Sequence, residues 1–219
     1  MKKIIKYLFL LTGGSFILAS CNDFLDREPL DSVTPDNFFF TENDLAAYAV
    51  KHYNFTTHEG FNAGIWKNDN ATDNQAATDY DKKWIPGQWK VPEAYDNPAS
   101  NDPWYFSTIR EANYFLETVV PRFEKGEIEG SETNIKHYIG EMYFLRAKNY
   151  LSKLETFGDF PIIKNTLPDE SESLIQASKR APRYKVAHFI LEDLDQAISL
   201  LTNNIYGGKN RINKNAALL

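Results

Sequence analysis

Cysteine is almost missing from this chain: Cys21 is the only one in 219 residues. That excludes a disulfide framework and a thiolate metal site, so the core has to hold by packing alone. Histidine is also sparse. His52, His58, His137 and His188 are scattered, with no two of them one helical turn apart and no cysteine partner. No glycine-rich phosphate loop and no serine elbow is present. Asp69, Asp73, Asp79 and Asp81 are dense, yet the glycine and terminal glutamate of an EF-hand loop are absent. No metal, no cofactor and no catalytic set is therefore expected. Basic residues are outnumbered 24 to 30, for a net charge of −6. Nucleic acid needs lysine and arginine to neutralise its phosphates, so it is excluded as a partner, and large anionic ligands are disfavoured. Long apolar runs are lacking too. The uncharged, mostly apolar stretch Tyr7 to Ser20 has 14 residues, whereas a membrane-spanning helix needs roughly 20.

That short run does have a recognisable form. Lys2, Lys3 and Lys6 precede it, and Leu18-Ala19-Ser20-Cys21 closes it, the layout of a secretory signal. With a cysteine immediately after the small pair, it resembles a bacterial lipoprotein signal, in which the thiol accepts a lipid. Cys21 is thus the expected lipidation site, an ordinary secreted protein with a stray thiol being the alternative. Two or more acyl chains anchor stably, at about 0.8 kcal/mol per buried CH₂. Loss of residues 1–20 leaves 21 basic against 30 acidic residues, or −9.

Residues 21–35 are polar, rich in aspartate and interrupted by proline, and read as a tether. Thr41 offers an N-cap with Glu42 and Asp44 behind it, and Leu45, Tyr48, Ala49 and Tyr53 carry a first helix to about Phe55. Asp102-Pro103 predicts the start of a second helix, with Tyr105, Ile109, Ala112, Leu116, Val119 and Phe123 on one face. Ser131 can cap a third, which runs through Ile135, Tyr138, Met142, Leu145 and Leu154 to a left-handed Gly158 before Pro161. Residues 162–181 read as a polar connection. A fourth helix runs from about Pro182 to near Asn203, and Asn213 begins an apolar helix that stops at Leu219 with no stop signal, as a truncated chain would. The whole predicts an all-α fold of stacked helical hairpins of the tetratricopeptide type, although no strict repeat of about 34 residues shows.

Between the first and second helices, residues 56–102 show no sustained period and many Gly, Pro, Asn and Asp residues. Trp66, Trp84, Trp89, Tyr80 and Tyr95 fall here. Disordered segments are poor in aromatics, so an ordered, decorated loop is expected. Pyranose rings present flat C–H faces that stack on indole and phenol, while amides, carboxylates and guanidinium satisfy the hydroxyls. Trp66, Asn68, Asp69, Asp73, Trp84 and Trp89 have that composition and are the ligand-binding candidates. The competing reading is that these indoles pack the loop onto the helices. Arg110, Glu111, Glu141 and Arg146 are expected to form interhelix ion pairs or caps, because their apolar neighbours mark a packed surface.

Several segments in order resemble the SusD/RagB family of outer-membrane lipoproteins. They are Ser20-Cys21 followed by Asn22-Asp23-Phe24-Leu25-Asp26, then Trp104-Tyr105-Phe106 leading into Ile109-Arg110-Glu111-Ala112-Asn113. Gly140-Glu141-Met142-Tyr143-Phe144-Leu145-Arg146-Ala147, Phe157-Gly158-Asp159-Phe160-Pro161, Arg180-Ala181-Pro182 and Arg211-Ile212-Asn213-Lys214 complete the set. The resemblance implies a solenoid-like scaffold with residues 36–219 as its N-terminal α-helical domain, tied to the outer membrane by lipid and facing outward. It also implies capture of glycan or another nutrient for a SusC-like TonB-dependent transporter, with no catalytic residue. Two other readings stand beside it: a lipid-anchored glycoside hydrolase with its catalytic half elsewhere, and a helical-repeat assembly factor of the outer membrane.

Overall fold

A computed structural model describes residues 38–55, 85–88, 90, 102–204 and 210–219. Among these residues every regular element is helical: α1 (Glu42–Lys51), α2 (Ser107–Lys125), α3 (Glu132–Phe157), α4 (Ser171–Ala177), α5 (Arg183–Leu200) and α6 (Lys214–Leu218). The all-α expectation holds.

Helix α1 starts where Thr41 places it. The Thr41 hydroxyl accepts from the Asp44 N–H at 3.2 Å, and the Asp44 carboxylate accepts from the Thr41 N–H at 3.0 Å, a reciprocal capping box. The helix ends at Lys51, earlier than the sequence suggested, because Tyr53 leaves it to meet α3. Just before α1, Phe39 holds a left-handed backbone with φ 70°. Such a conformation costs about 1–3 kcal/mol in a non-glycine residue. Complete burial of the ring against Tyr48 and Phe115 offsets it.

Asp102-Pro103 does not begin α2. Asp102 instead closes a turn, accepting from the Trp104 N–H on its carboxylate (2.8 Å) and from the Tyr105 N–H on its carbonyl (2.9 Å). This delay swings Trp104 and Phe106 onto Phe157 and Phe160, with Trp104 and Phe157 centroids 4.1 Å apart. The helix then starts at Ser107 and ends on Gly126 in a left-handed conformation.

Helix α3 is the axis of the described fold, packing on α1, α2 and α5, with its broadest interface to α5. Ser131 sits at its N-cap position without a side-chain bond. The Glu42 carboxylate instead accepts from the Ser131 N–H at 2.7 Å, tying the start of α3 to α1. Bonds between Glu42 N–H and Glu129 O (2.8 Å) and between Glu129 N–H and Phe40 O (2.7 Å) clip the α2–α3 turn to the start of α1. Gly158 ends α3 with a positive φ of 71°, but its ψ of −96° lies outside the left-handed helical region expected of it.

The 162–181 connection is more structured than its polarity suggested. It holds α4, which buries no residue, and a two-way pairing of Phe160 with Ala181 at 3.1 and 3.0 Å. Asp159 then accepts from the Arg183 N–H at 2.8 Å and caps α5. Helix α5 closes at Leu200, ahead of Asn203, since Leu201 turns inward against α3. Asn213 caps α6 as read, accepting from the Ala216 N–H at 3.2 Å.

Gly140 is the point of closest approach between α3 and the end of α5. A Cβ there would stand 3.0 Å from Leu201 Cγ and 3.1 Å from Leu200 Cβ. Gly140→Ala is expected to lower stability by about 1–3 kcal/mol through overpacking, as a shift in the urea midpoint with unchanged slope.

Candidate ligand-binding site

The residues singled out in the sequence for ligand contact, Trp66, Asn68, Asp69, Asp73, Trp84 and Trp89, lie outside the described residues, as does Cys21. Ligand contact by the long loop between the first two helices therefore stays an expectation.

The four charged residues on the matched helices are placed. Glu141 is fully buried. Its carboxylate accepts from the Tyr53 hydroxyl (2.8 Å), from Arg211 Nε (2.9 Å) and from Arg211 Nη2 (2.6 Å), and it meets His137 Nε2 at 3.1 Å. His137 Nδ1 accepts from the Thr202 N–H at 3.2 Å, which puts the ring proton on Nε2, facing Glu141. His137 is thus a buried tie between α3 and the segment that follows α5. Burial, then the Glu141 carboxylate, raises the Tyr53 phenol above its ordinary value.

Further along α3, Arg146 grips Asp193 of α5 through two bonds of 2.8 and 2.7 Å. It also donates to the Asn113 side-chain oxygen at 2.8 Å. Burial pushes the Asp193 carboxyl above the usual range, and the Arg146 bond pulls against that shift. Glu111 pairs with Lys51 at 3.5 Å and with His52 Nδ1 at 3.3 Å. All three groups are committed to holding helices together, as expected. Arg110 is different. It is exposed and forms no ion pair among the described residues, so the interhelix ion pair expected of it is corrected.

Arg110 stands instead at a cavity of about 470 Å³. Tyr105, Phe106 and Ser107 at the entry to α2 form one side, and Ile163, Asn165, Leu167 and Leu174 form the other. The volume falls in the range of small-molecule sites, about 300–1,000 Å³. Trp104 also lines it, but its ring is engaged by Phe157, by Phe160 and by the Arg180 guanidinium 5.0 Å from its centre. Tyr105 and Leu174 are the better placed for an incoming apolar surface. Reading Tyr105 as part of the α2 core face hid this site, and reading 162–181 as featureless hid its opposite wall. The signal available in the sequence was a group of apolar residues, Ile162, Ile163, Leu167, Leu174 and Ile175, in a connection otherwise polar. Among the described residues no group of three or more metal-ligating side chains occurs, and no helix is long and apolar enough to cross a membrane.

Helical hairpins of this kind, with a groove beside the second helix, define a tetratricopeptide-like scaffold. A family model described as starch-binding and associating with the outer membrane matches residues 23–218. The chain belongs to this SusD-like family. Among curated proteins, SusD-like protein P38 of Formosa agariphila is 27% identical over 203 residues, covering 90% of this chain and 37% of the relative. SusD-like protein P2 of the same organism is 26% identical over 186 residues, covering 82% and 35%. The chain therefore spans little more than a third of the length of these relatives. A SusD-like protein from Bacteroides fragilis has a solved structure with a TM-score of 0.55 and 25% identity, over 87% of this chain and 36% of that one. A second Bacteroides fragilis structure, with a TM-score of 0.58 at 18% identity over 83% and 36%, shares the fold.

Two outcomes test the polar ties. Arg146→Met strands Asp193 and the Asn113 oxygen in the interior, so a loss of about 3–5 kcal/mol in urea unfolding is expected. Arg146→Met combined with Asp193→Leu should recover part of it. The second concerns His52, whose side chain is buried against Tyr48 and whose Nε2 has no hydrogen-bond partner among the described residues. Burial lowers its proton affinity below the ordinary 6.5, Glu111 opposes this, and Lys51 adds to it. The unfolded chain then takes up the proton first as pH falls. The contribution of His52 is whole above 6.5 and is lost as pH drops through the lower folded value. His52→Leu should flatten the stability–pH slope between that lower value and 6.5, and an unchanged slope there would count against this assignment.

Proposed function

We propose that this chain is the helical N-terminal part of a lipid-anchored, glycan-binding protein on the outer membrane, which passes its ligand to a SusC-like TonB-dependent transporter. Residues 1–20 are its lipoprotein signal, Cys21 the lipidated residue, 21–35 the tether and 36–219 the α-helical domain. The supporting observation is the match to a starch-binding, outer-membrane-associating family across residues 23–218, on a scaffold that is helical throughout its described residues. Binding without turnover fits the polar side chains that can be seen. Glu141, Asp193 and Glu111 are held by arginine, lysine or histidine, and a glycosidase needs two carboxylates about 5–10 Å apart across a cleft.

Ligand capture is assigned to the aromatic loop between the first two helices, through Trp66, Trp84 and Trp89 with Asn68, Asp69 and Asp73. A polar tether ending in lipid suits such capture, because it keeps the scaffold at the membrane while leaving the loop open to large sugars and to the transporter mouth. The net charge of −6 favours neutral chains over polyanionic ones.

Two measurements check this. Metabolic labelling with palmitate should mark the chain and fail on Cys21→Ser. Simultaneous Trp66→Ala, Trp84→Ala and Trp89→Ala should weaken binding of the cognate oligosaccharide at least tenfold, about 1.4 kcal/mol. Unchanged affinity would remove the loop from the site.

A further inference from the structure

The groove beside α2 has a rigid wall. Asn113, buried in α2, donates from Nδ2 to the carbonyls of Ile163 (2.9 Å) and Asn165 (3.3 Å). The Tyr150 hydroxyl donates to the Ile163 carbonyl at 3.2 Å and accepts from the Ile163 N–H at 2.8 Å. Thr166 is tied to Glu117 through its N–H (2.9 Å) and its hydroxyl (2.6 Å). Residues 163–166 are thus pinned to two helices without help from any ligand, as the walls of preformed sites are. Beside them, Leu174 sits on α4, a helix of seven residues that buries none of them. A helix so short has little stability of its own, so an occupant touching Leu174 would add to the support it has.

The chemistry of the lining narrows the occupant. Among the described residues, Arg110 is the one charged side chain that lines the groove, and no carboxylate does. Neutral sugars present many O–H donors, which carboxylate acceptors satisfy best, and the described lining residues have none to give. What they offer is a guanidinium fork without an ion-pair partner among the described residues, the amide of Asn165, the hydroxyl of Ser107 and an apolar floor. A planar guanidinium matches a carboxylate through two parallel bonds.

We infer that this groove seats one acidic sugar unit of a bound glycan, its carboxylate on Arg110 and its apolar ring face against Tyr105 and Leu174. The inference rests on the glycan-binding reading above and adds a site and a preference to it. It is compatible with an acidic chain: a net charge of −6 repels a long polyanion, whereas one carboxylate seated on a local cation is drawn in.

The test compares two probes that differ in one group, a β-glucan trisaccharide and the same trisaccharide oxidised to glucuronic acid at its non-reducing end, titrated into the purified chain by NMR. The acidic probe should bind at least tenfold more tightly. Arg110→Gln should bring the two affinities together, Arg110→Lys should keep part of the preference, and Tyr105→Ala should weaken the acidic probe. Thermal unfolding of each variant verifies that it folds. Arg110 has no ion-pair partner among the described residues to lose, so Arg110→Gln should melt with the parent. Equal affinity for the two probes, or a preference that survives Arg110→Gln, overturns the assignment. If a wider glycan panel still shows binding in that case, the proposed function stands and this groove alone is excluded. If nothing on the panel binds, both fall.

Discussion

Two buried charges on α3, Glu141 and Arg146, are the constraint on which the arrangement of the other helices depends. Each faces several neighbours at once: Glu141 takes Tyr53 from the end of α1, Arg211 from the segment before α6 and His137 from its own helix. Arg146 takes Asp193 from α5, Asn113 from α2 and the carbonyl of Lys164 at 3.4 Å from the connection between α3 and α5. Desolvating such groups costs several kcal/mol apiece, and the cost is met only when all partners stand in register. An apolar seam would let helices slide by a turn with little penalty. A seam that must place a carboxylate and a guanidinium in fixed cages gives α3 one acceptable setting against its neighbours.

That register carries through to the groove. Arg146 holds the Asn113 oxygen, which leaves the Asn113 amide hydrogens free to fix the carbonyls of Ile163 and Asn165. The ionic tie inside the bundle and the wall of the cavity are therefore two ends of one hydrogen-bonded chain. The aromatic stack of Trp104, Phe106, Phe157 and Phe160 sets the opposite boundary. Tyr105 lies between two residues of that stack and lines the opening.

Most of the helices were legible in the sequence, because their apolar spacing and caps are local signals. Thr41 and Asn213 cap where they were expected to, and α3 and α5 follow their apolar stripes. The errors fall where a distant partner overrides a local signal. Asp102-Pro103 has the chemistry of a helix start, but the pull of Phe157 and Phe160 on Trp104 delays α2 to Ser107. Ser131 is a good cap by type, yet its side chain makes no cap bond, and Glu42, 89 positions away in the chain, holds its N–H. Burial of His137 and the lack of an ion pair to Arg110 among the described residues could not be read locally either, since each is decided by which helix lies opposite. The family was legible through the order of many weak segments. The groove was not, because its two walls come from stretches that looked respectively like core and like linker.

Capture of sugar without cleavage is what this scaffold is proposed to achieve, and it can be measured directly. The purified chain is titrated with a panel of oligosaccharides and followed by tryptophan fluorescence, and the same mixtures are separated chromatographically after long incubation. A saturable change for at least one glycan, recovered at its original length, is the predicted result. Absence of saturation across the panel, or recovery of shortened products, would contradict it.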